Sequence, residues 1–316
     1  MTGKKKGPDH KNAVRAFPYK YVNSMTYSIE NKYISICIDS RGAELRSLQR
    51  KKDQAQLLWQ GDAQYWAEHS PILFPTVGNS YEQTIRHKGN TYPMPKHGLV
   101  RGMEFTRMEQ TENKLILSVE DNEETRYHYP FHFQLSVVYA LEETELKISF
   151  LVRNHSNEPL PFLLGAHPGF NLPQFDKRDG IHGFLGFDGI EKLVSLGLKP
   201  GGFAWREGTF DVPLNNGLLP LTNETFLCDT ILDITSRPKA CTLFNKEKNA
   251  LLTVHFTSPT LAIWAPCGGC APFVCIEPWW GLCDEDGYKG EFSQRPFANN
   301  VGTGETQCIC YSIELH

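Results

Sequence analysis

Apolar and polar residues alternate with a period of two along most of the chain. In "KYISICIDS" the apolar positions are Ile34, Ile36 and Ile38, and in "ELKISFLVRN" every second residue from Leu146 to Val152 is apolar. The segments "LLTVHF" (251–256) and "QCICYSIEL" (307–315) repeat the pattern. Alternation turns one face of a strand towards a core and the other towards water, so all four segments are predicted strands.

Shorter apolar runs predict further strands at 114–119, 132–140, 159–164, 260–265 and 272–276. Clusters rich in Gly, Pro, Asn and Asp separate them, and such clusters favour turns. Only "DAQYWAEHS" (62–70) is predicted as a short helix. A long series of antiparallel strands must stack two sheets or close a barrel. We therefore predict an all-β fold, a large antiparallel β-sandwich that forms a single domain over residues 24–316.

Composition and charge narrow the classes of protein. The 316 residues are 40% hydrophobic, and the formal net charge of −4 gives no reason to expect a nucleic-acid partner. No run approaches the ~18 apolar residues of a membrane span, so we expect no membrane partner. Residues 1–23 contain "KKK" but no apolar signal segment, which predicts a disordered basic arm. We expect a cytoplasmic protein, either a monomer or a homodimer.

The nine cysteines show no regular disulfide spacing. Their odd number favours reduced thiols in the cytosol. The motif Cys267-Gly-Gly-Cys270, followed by Cys275 and Cys283, leaves a structural zinc site or a redox pair open. A structural zinc site usually needs a second such motif, however, and none is present. We predict no metal site.

The segment "FVCIEPWWG" carries Glu277 at the end of a predicted strand. A carboxylate that leaves the core there needs partners, either an Arg or backbone N–H groups in a structural role, or a substrate. Trp279 and Trp280 follow, and flat indole rings suit the apolar face of a pyranose. Phe170 is a further aromatic residue near another candidate position, although aromatic residues more often belong to a core.

Two histidines stand in loops that Pro and Gly hold. His97 lies in "YPMPKHGLVRG" and His167 in "LLGAHPGFN". Loops on a rigid scaffold tend to carry functional groups, whereas the alternative is a histidine that only binds the loop backbone. His97, His167 and Glu277 together would also satisfy a two-histidine, one-carboxylate metal site, which spacing alone leaves open.

Five motifs in the same order resemble the aldose 1-epimerase (galactose mutarotase) family, and most closely its shorter LacX-like branch. They are "SPILFPTVGNS", "MPKHGLVRGMEF", "LLGAHPGFN", "CIEPWWG" and "DEDGYKGEF". The resemblance extends from about residue 26 to the C-terminus. It implies a galactose mutarotase-like β-sandwich, a sugar as small-molecule partner and an isomerase that interconverts the α and β anomers of a hexose.

The resemblance also implies roles for individual residues. In this family two histidines and a glutamate line one open cleft, and the matching positions are His97, His167 and Glu277. Glu277 is the expected general base for the C1 hydroxyl, and His167 the expected general acid for the ring oxygen. His97 is expected to steady the developing charge. "TFLCDTILDI" is similar to the segment whose Asp contacts sugar hydroxyls, which indicates Asp229. No metal or organic cofactor is implied.

One position departs from the family pattern. Many relatives carry an Arg after the "P-x-V-G" segment, where this chain has Asn79. We count Asn79 as a substrate-binding candidate, together with Trp279 and Phe170, and Arg86 and Arg101 are candidates to supply the missing charge.

Three alternative functions stay open at this point. The first is a non-catalytic carbohydrate-binding protein. The second is a hexose-phosphate mutarotase, which would need clustered cations such as Arg86, His87, Lys88 and Arg101. The third is a glycoside-active enzyme, which needs two carboxylates, and only Glu277 and Asp229 are available.

Overall fold

The computed structural model describes residues 24–227, 229–266 and 271–316. The predicted basic arm (1–23) and the CGGC motif (267–270) lie outside the described residues. The described chain is built almost entirely of antiparallel strands, as the alternating pattern predicts. No helix among the described residues is long and apolar enough to cross a membrane.

The elements follow one another along the chain in this order. The first strands are β1 (Thr26–Glu30), β2 (Ile34–Asp39), β3 (Leu45–Arg50), β4 (Ala55–Gln56), β5 (Ile72–Leu73), β6 (Thr84–His87), β7 (Asn90–Pro93), β8 (Thr106–Gln110), β9 (Lys114–Glu120), β10 (Phe133–Glu142), β11 (Glu145–Asn154), β12 (Leu160–Phe162) and β13 (Leu164–Ala166). The later strands are β14 (Gly169–Asn171), β15 (Gly183–Phe187), β16 (Leu193–Lys199), β17 (Phe203–Val212), β18 (Leu218–Leu221), β19 (Ile231–Asp233), β20 (Ala240–Phe244), β21 (Ala250–Phe256), β22 (Thr260–Trp264), β23 (Phe273–Trp280), β24 (Asn299–Val301) and β25 (Thr306–Leu315). One α-helix, α1 (Glu123–His128), lies between β9 and β10, and 3-10 turns occupy Tyr81–Gln83, Val100–Gly102 and Phe292–Gln294.

Two large sheets make up the sandwich. The nine-stranded sheet has the order β18-β15-β20-β21-β25-β11-β10-β9-β8. The eight-stranded sheet has the order β17-β16-β19-β22-β23-β13-β5, with β14 also paired to β23. A four-stranded sheet, β1-β2-β3-β4, and the hairpins β6-β7 and β12-β24 complete the structure. Every strand predicted from alternation or from an apolar run is present, although the one predicted over 159–164 is divided into β12 and β13, which lie in different sheets.

Aromatic residues join the two large sheets through the core. Buried and half-buried residues alternate along β10 from Phe133 to Leu141, which is the period-two pattern of the sequence. The ring of Phe133 lies 5.1 Å from that of Phe74, which directly follows β5 in the other sheet. The ring of Phe162 lies 5.7 Å from that of Phe74 on the same side of the core. Burial of one such side chain contributes about 1.5–3 kcal/mol, so these rings hold the sheets face to face.

The helix predicted over residues 62–70 is wrong. The segment forms turns, in which the carbonyl of Asp62 accepts from the N–H groups of Tyr65 and Trp66. The carbonyl of Trp66 then accepts from the indole N–H of Trp59 at 2.8 Å. A tertiary partner therefore takes the acceptor that a continuing helix would use. Tertiary contacts commonly override helix propensity in this way.

The helix α1 was not predicted, although its start signal is in the sequence. Asn122 accepts from the N–H of Thr125, and the Thr125 hydroxyl reciprocates at the N–H of Asn122, which forms a capping box. The helix has six residues. A search for a 3.6-residue period over 12 residues misses an element of that length.

β23 positions the chemistry. The strand is buried along its whole length and lies between β22 on one side and β13 and β14 on the other. Alternate residues of a strand point to the same face, so Cys275, Glu277 and Trp279 share one face of β23. The side chains of Glu277 and Trp279 contribute to a cleft on that face.

Candidate active site

A cleft of about 300 Å³ brings the three candidate catalytic residues together. Glu277, His167 and His97 all line it. Its volume is at the lower end of the ~300–1,000 Å³ typical of small-molecule sites, which suits one monosaccharide. Of the five candidate substrate-binding residues, Asp229, Asn79 and Trp279 line the same cleft, and Arg86 and Phe170 do not.

His167 and Glu277 are in direct contact. His167 lies between β13 and β14, which both pair with β23: Gly165 is opposite Trp279, and Gly169 is opposite Cys275. This register puts residue 167 opposite residue 277. The Nε2 atom of His167 is 3.3 Å from Oε2 of Glu277, and Glu277 is only 1% exposed.

Trp279 completes the surroundings of the carboxyl group. Its indole N–H donates to Oε2 of Glu277 at 3.2 Å. The indole ring lies against Gly165, where an added Cβ would be only 2.8 Å from Cδ1 of Trp279. Glycine at position 165 is therefore what allows the indole to take up its place beside Glu277.

Two reciprocal hydrogen bonds fix the orientation of His97. The backbone N–H of His97 donates to the carbonyl of Gly78 at 2.9 Å. The backbone N–H of Gly78 donates to the ring atom Nδ1 of His97 at 3.1 Å. Because Nδ1 is an acceptor, the neutral ring carries its proton on Nε2. His97 and Gly98 both have a left-handed φ, of +67° and +77°, and at Gly98 a Cβ would be 2.1 Å from the carbonyl oxygen of Phe74. The loop thus presents His97 as a hydrogen-bond donor.

Burial shifts the pKa values of all three groups towards their neutral forms. Loss of hydration raises the pKa of Glu277 well above its ordinary value, although the Trp279 N–H and the charge of Lys96 act in the opposite direction. Burial lowers the pKa of His167 to about 3. Burial, and next the neighbouring His167, lower the pKa of His97 well below its usual range. Burial therefore favours the neutral form of both members of the Glu277–His167 pair.

Indole rings form the apolar walls of the cleft. The ring of Trp66 stacks on that of His167 at 4.9 Å, with an angle of 30° between their planes. Trp264 meets His167 edge-on at 5.7 Å. These contacts restrict rotation of the imidazole. Together with Trp279 they give a surface suited to the C–H face of a sugar.

Asp229 and Asn79 occupy the rim of the cleft. Asp229 is exposed, and its Oδ1 accepts from the N–H and the hydroxyl of Thr230. The Asn79 side chain donates to the carbonyl of Gly201, and the Asn79 carbonyl accepts from the N–H of Asp284. Asn79 therefore connects two loops, where many relatives were expected to present a cation.

Two candidate substrate-binding residues lie elsewhere. Arg86 pairs with Glu82 at 2.9 Å and donates to the carbonyl of Tyr288. Phe170 is fully buried in β14 as part of the hydrophobic core. Phe170 is close to His167 in the sequence, which suggested that its ring lies at the site. It follows His167 by three residues, however, and over that distance the chain turns its side chain into the core.

Three charged residues of the cleft were missed or only partly recognised. Lys96 is exposed, lines the cleft and lies next to His97 on the same Pro- and Gly-bounded loop, which is the signal that could have found it. Glu68 lines the cleft and pairs with Arg101 at 3.1 Å, and burial raises the pKa of Glu68. Arg101 was considered only as a substitute for the missing Arg and as one of the cations for a phosphate group.

The metal ligands that the structure brings together differ from the set considered in the sequence. Among the described residues, His167, Cys275 and Glu277 have ligand atoms within 4.8 Å of one another. Cys275 thus stands where His97 was considered. The possible Cys267–Cys270 site lies outside the described residues.

A β-sandwich whose cleft presents a carboxyl group, two imidazoles and indole walls defines a galactose mutarotase-like protein. The chain belongs to the aldose 1-epimerase family: the family model described as Aldose 1-epimerase matches residues 25–185. It is 30% identical over 299 residues to protein LacX of Lactococcus lactis subsp. lactis, in both its plasmid and its chromosomal form, which covers 92% of this chain and 99% of the relative.

Solved structures agree with this assignment. A galactose mutarotase related enzyme from Lactobacillus acidophilus is 29% identical, has a TM-score of 0.86, and the match covers 92% of this chain and 97% of that one. A galactose mutarotase-like protein from Lactobacillus casei is 30% identical with the same TM-score, and the match covers 92% and 100% of the two chains. The expected family and fold are thereby confirmed.

Proposed function

We propose that the protein is an aldose 1-epimerase that interconverts the α and β anomers of a hexose by acid–base ring opening. The observation that carries the proposal is the 3.3 Å contact between His167 Nε2 and Glu277 Oε2. In a pyranose the C1 hydroxyl oxygen and the ring oxygen are attached to the same carbon. An acid and a base that serve both oxygens must lie close together, as these two groups do.

The proton transfers balance within this pair. Glu277, as carboxylate, takes the proton of the C1 hydroxyl while the bond between C1 and O5 breaks. O5 takes a proton from the imidazolium of His167, which leaves the open-chain aldehyde. Rotation about C1–C2 presents the other face of the aldehyde, and the same transfers run backwards to close the ring. The pair holds one proton in total before and after each step.

Burial of the pair affects the two proton arrangements of this step differently. The step converts a charged pair, carboxylate and imidazolium, into a neutral acid and a neutral imidazole. The directions of the pKa values of Glu277 and His167 show that burial stabilises this neutral combination. Desolvation thus favours the proton positions reached after ring opening, whereas formation of the carboxylate–imidazolium pair from the neutral pair costs free energy beforehand.

The other residues of the cleft have supporting roles in this proposal. His97 donates from Nε2 to an oxygen at C1 or to O5, because Nδ1 is occupied by Gly78. Asp229 accepts from sugar hydroxyls at the rim, and Trp279 holds Glu277 while its ring faces the sugar. None of these steps calls on a metal or an organic cofactor.

The decisive experiment follows the approach of freshly dissolved α-anomers to equilibrium by polarimetry and by anomer-exchange NMR. Glucose, galactose and their 6-phosphates are compared with and without the wild-type protein. Acceleration of a free hexose supports the proposal. Saturable binding of the sugar without acceleration would establish a non-catalytic carbohydrate-binding protein instead.

A hexose phosphate is the second candidate substrate, and Lys96 favours it. Lys96 is an exposed cation at the cleft, and Arg101 lies on the same lining. The other cations first considered do not support it, because His87 and Lys88 pair with Glu158, and Arg86 pairs with Glu82. Preference for the 6-phosphates, lost in Lys96→Met, would decide for this substrate.

The cellular setting stays a prediction. We infer a cytoplasmic protein, a monomer or a homodimer, whose single domain begins at residue 24. The cysteines described as free, both buried and exposed, support a reducing compartment.

A further inference from the structure

Cys275 lies under the cleft and has no part in the proposed reaction. It precedes Glu277 by two residues on the same face of β23, and it is 0% exposed. Its side chain packs in a small cluster with Trp59 and Phe273, next to Trp66 and Trp264. A buried thiol at this position is either a small apolar filler or a ligand.

The surroundings of Cys275 favour a ligand. The side-chain ligand atoms of His167, Cys275 and Glu277 lie within 4.8 Å of one another, and all three residues are buried. Catalytic zinc sites use three protein ligands at about 2.0–2.3 Å from the ion and leave a fourth position open. An inward movement of the three side chains would bring their ligand atoms towards that geometry, and two of them, His167 and Glu277, line the cleft.

A second observation concerns the imidazole. The Nδ1 atom of His167 is buried and has no hydrogen-bond partner among the described residues. The ring is already held by the indoles of Trp66 and Trp264. A buried polar atom without a hydrogen-bond partner is costly in free energy. Coordination of an ion by the imidazole would remove that cost if the ring turned Nδ1 towards the ion.

We propose that His167, Cys275 and Glu277 form a binding site for a thiophilic divalent cation such as Zn²⁺, and that the ion inhibits the sugar chemistry of the cleft. One thiolate, one carboxylate and a neutral imidazole balance the two charges of the ion, so the occupied site is neutral, as burial requires. The sulfur ligand favours Zn²⁺, Co²⁺ or Cd²⁺ over Mg²⁺ or Ca²⁺.

Inhibition follows from the identity of the ligands. The ion occupies the lone pairs of Glu277 and His167, which are the two groups that exchange protons with the sugar in the proposed function. The inhibitory part rests on the proposed function, whereas the binding part does not.

Binding is tested by titrating the full chain with Zn²⁺ in a calorimeter, and with Co²⁺ in a spectrophotometer to detect the thiolate-to-metal absorption. We expect one ion per chain. Cys275→Ser should weaken binding at least about tenfold and remove the Co²⁺–thiolate band. Cys241→Ser, which alters an equally buried thiol in β20, and Cys270→Ser, in the CGGC motif, should leave both unchanged.

A second variant protects the test against misfolding. If Cys275→Ser loses its circular dichroism spectrum, Glu277→Gln removes another ligand and should weaken binding by a similar factor. Equal affinity in the wild type and in the folded variants would overturn the proposal. Loss of binding in Cys270→Ser alone would overturn it too, because the CGGC motif would then hold the ion.

The activity measurement separates the two proposals. Zn²⁺ should slow anomer exchange by the wild type and leave Cys275→Ser unaffected at the same concentration. A protein that binds Zn²⁺ through Cys275 but never accelerates anomer exchange would keep the metal site and refute the proposed enzyme. A protein that accelerates exchange and binds no Zn²⁺ would support the proposed enzyme and refute the metal site.

Discussion

His167 stands opposite Glu277 in the antiparallel register that joins β13 and β14 to β23, and their side chains meet at 3.3 Å. The two residues are far apart along the chain, but the backbone pairing on either side of His167 fixes their separation. The contact is therefore set by the sheet itself, and a flexible loop is not needed to form it. The proposed chemistry depends on this arrangement.

Glu277→Gln should reduce anomer exchange by about 10²–10⁴-fold, because the amide cannot accept the C1 hydroxyl proton. The same change should stabilise the fold above pH 4.5. A carboxyl group with a raised folded pKa binds more protons when folded, so the protein loses stability as pH rises, and glutamine removes that loss. We expect a gain of about 1–3 kcal/mol at pH 8 in urea unfolding.

The matched control for Glu277→Gln is Glu314→Gln, which alters a glutamate paired with His255 at 3.1 Å on the surface. It should change neither activity nor stability measurably. Full activity in Glu277→Gln, or a loss of stability at pH 8, would contradict the assignment.

His167→Asn should weaken the dependence of the free energy of unfolding on pH in the acidic range. The folded pKa of His167 is lowered, so the unfolded chain binds more protons between pH 6.5 and about 3, and the wild type loses stability as pH falls through that range. The variant lacks this contribution. Unfolding free energies measured from pH 7 down to pH 4.5 should fall less steeply in His167→Asn than in the wild type. His255→Asn, at an exposed His–Glu pair, should keep the wild-type slope.

The pH profile of kcat/KM should show a broad plateau. Activity requires one proton on the Glu277–His167 pair. Burial opposes both addition of a second proton and removal of the first, because each would create a net charge. The acidic limb should thus reflect His167 and lie below 6.5, towards about 3, and the alkaline limb should reflect Glu277 and lie well above 4.5. An inflection at either ordinary value would show that the two groups titrate independently.

His97→Asn should act mainly on sugar binding. Asparagine tolerates the left-handed backbone of position 97, and it retains one donor. We expect kcat/KM to fall about 10–100-fold, with most of the change in KM, because a hydrogen bond to the sugar is weakened while the proton-transfer pair stays in place. Steady-state anomer exchange at several sugar concentrations separates the two constants. A kcat as low as that of His167→Asn would refute the supporting role.

Trp279→Phe should lower kcat by about 10–100-fold and change KM less. Phenylalanine keeps the flat ring but lacks the N–H that donates to Glu277 at 3.2 Å, and a hydrogen bond to a charged group contributes ~1.5–3 kcal/mol. Because that bond lowers the pKa of Glu277, the alkaline limb should also move upwards. Trp205→Phe, at an exposed indole, is the control and should behave as the wild type.

The alternating pattern was sufficient to predict four of the strands, β2, β11, β21 and β25. The spacing of Ile34, Ile36 and Ile38 predicted β2, because burial of one face leaves a direct record in sequence. The segment 62–70 failed because Trp59, which binds the carbonyl of Trp66, is a tertiary partner that no local pattern reveals. Sheet order and register depend on pairings between distant strands, and they were out of reach for the same reason.

The candidate site was predictable in its residue types and only partly in its membership. His97, His167 and Glu277 stood out through their loops and motifs, and all three line the cleft. Arg86 does not line the cleft, because folding brings it to its partners Glu82 and Tyr288 instead. Cys275 could be recognised as a neighbour of His167 only from the register of β14 and β23.

The amide of Asn79 ties the loop after β5 to the turn between β16 and β17. This hydrogen bond joins the two loops across the entrance of the cleft, and it does not depend on a bound sugar. The two loops therefore need little rearrangement when a sugar binds, so stopped-flow measurements should show binding in a single fast phase. Asn79→Ala would remove the hydrogen bond between the two loops and should add a slow, concentration-independent phase to sugar binding.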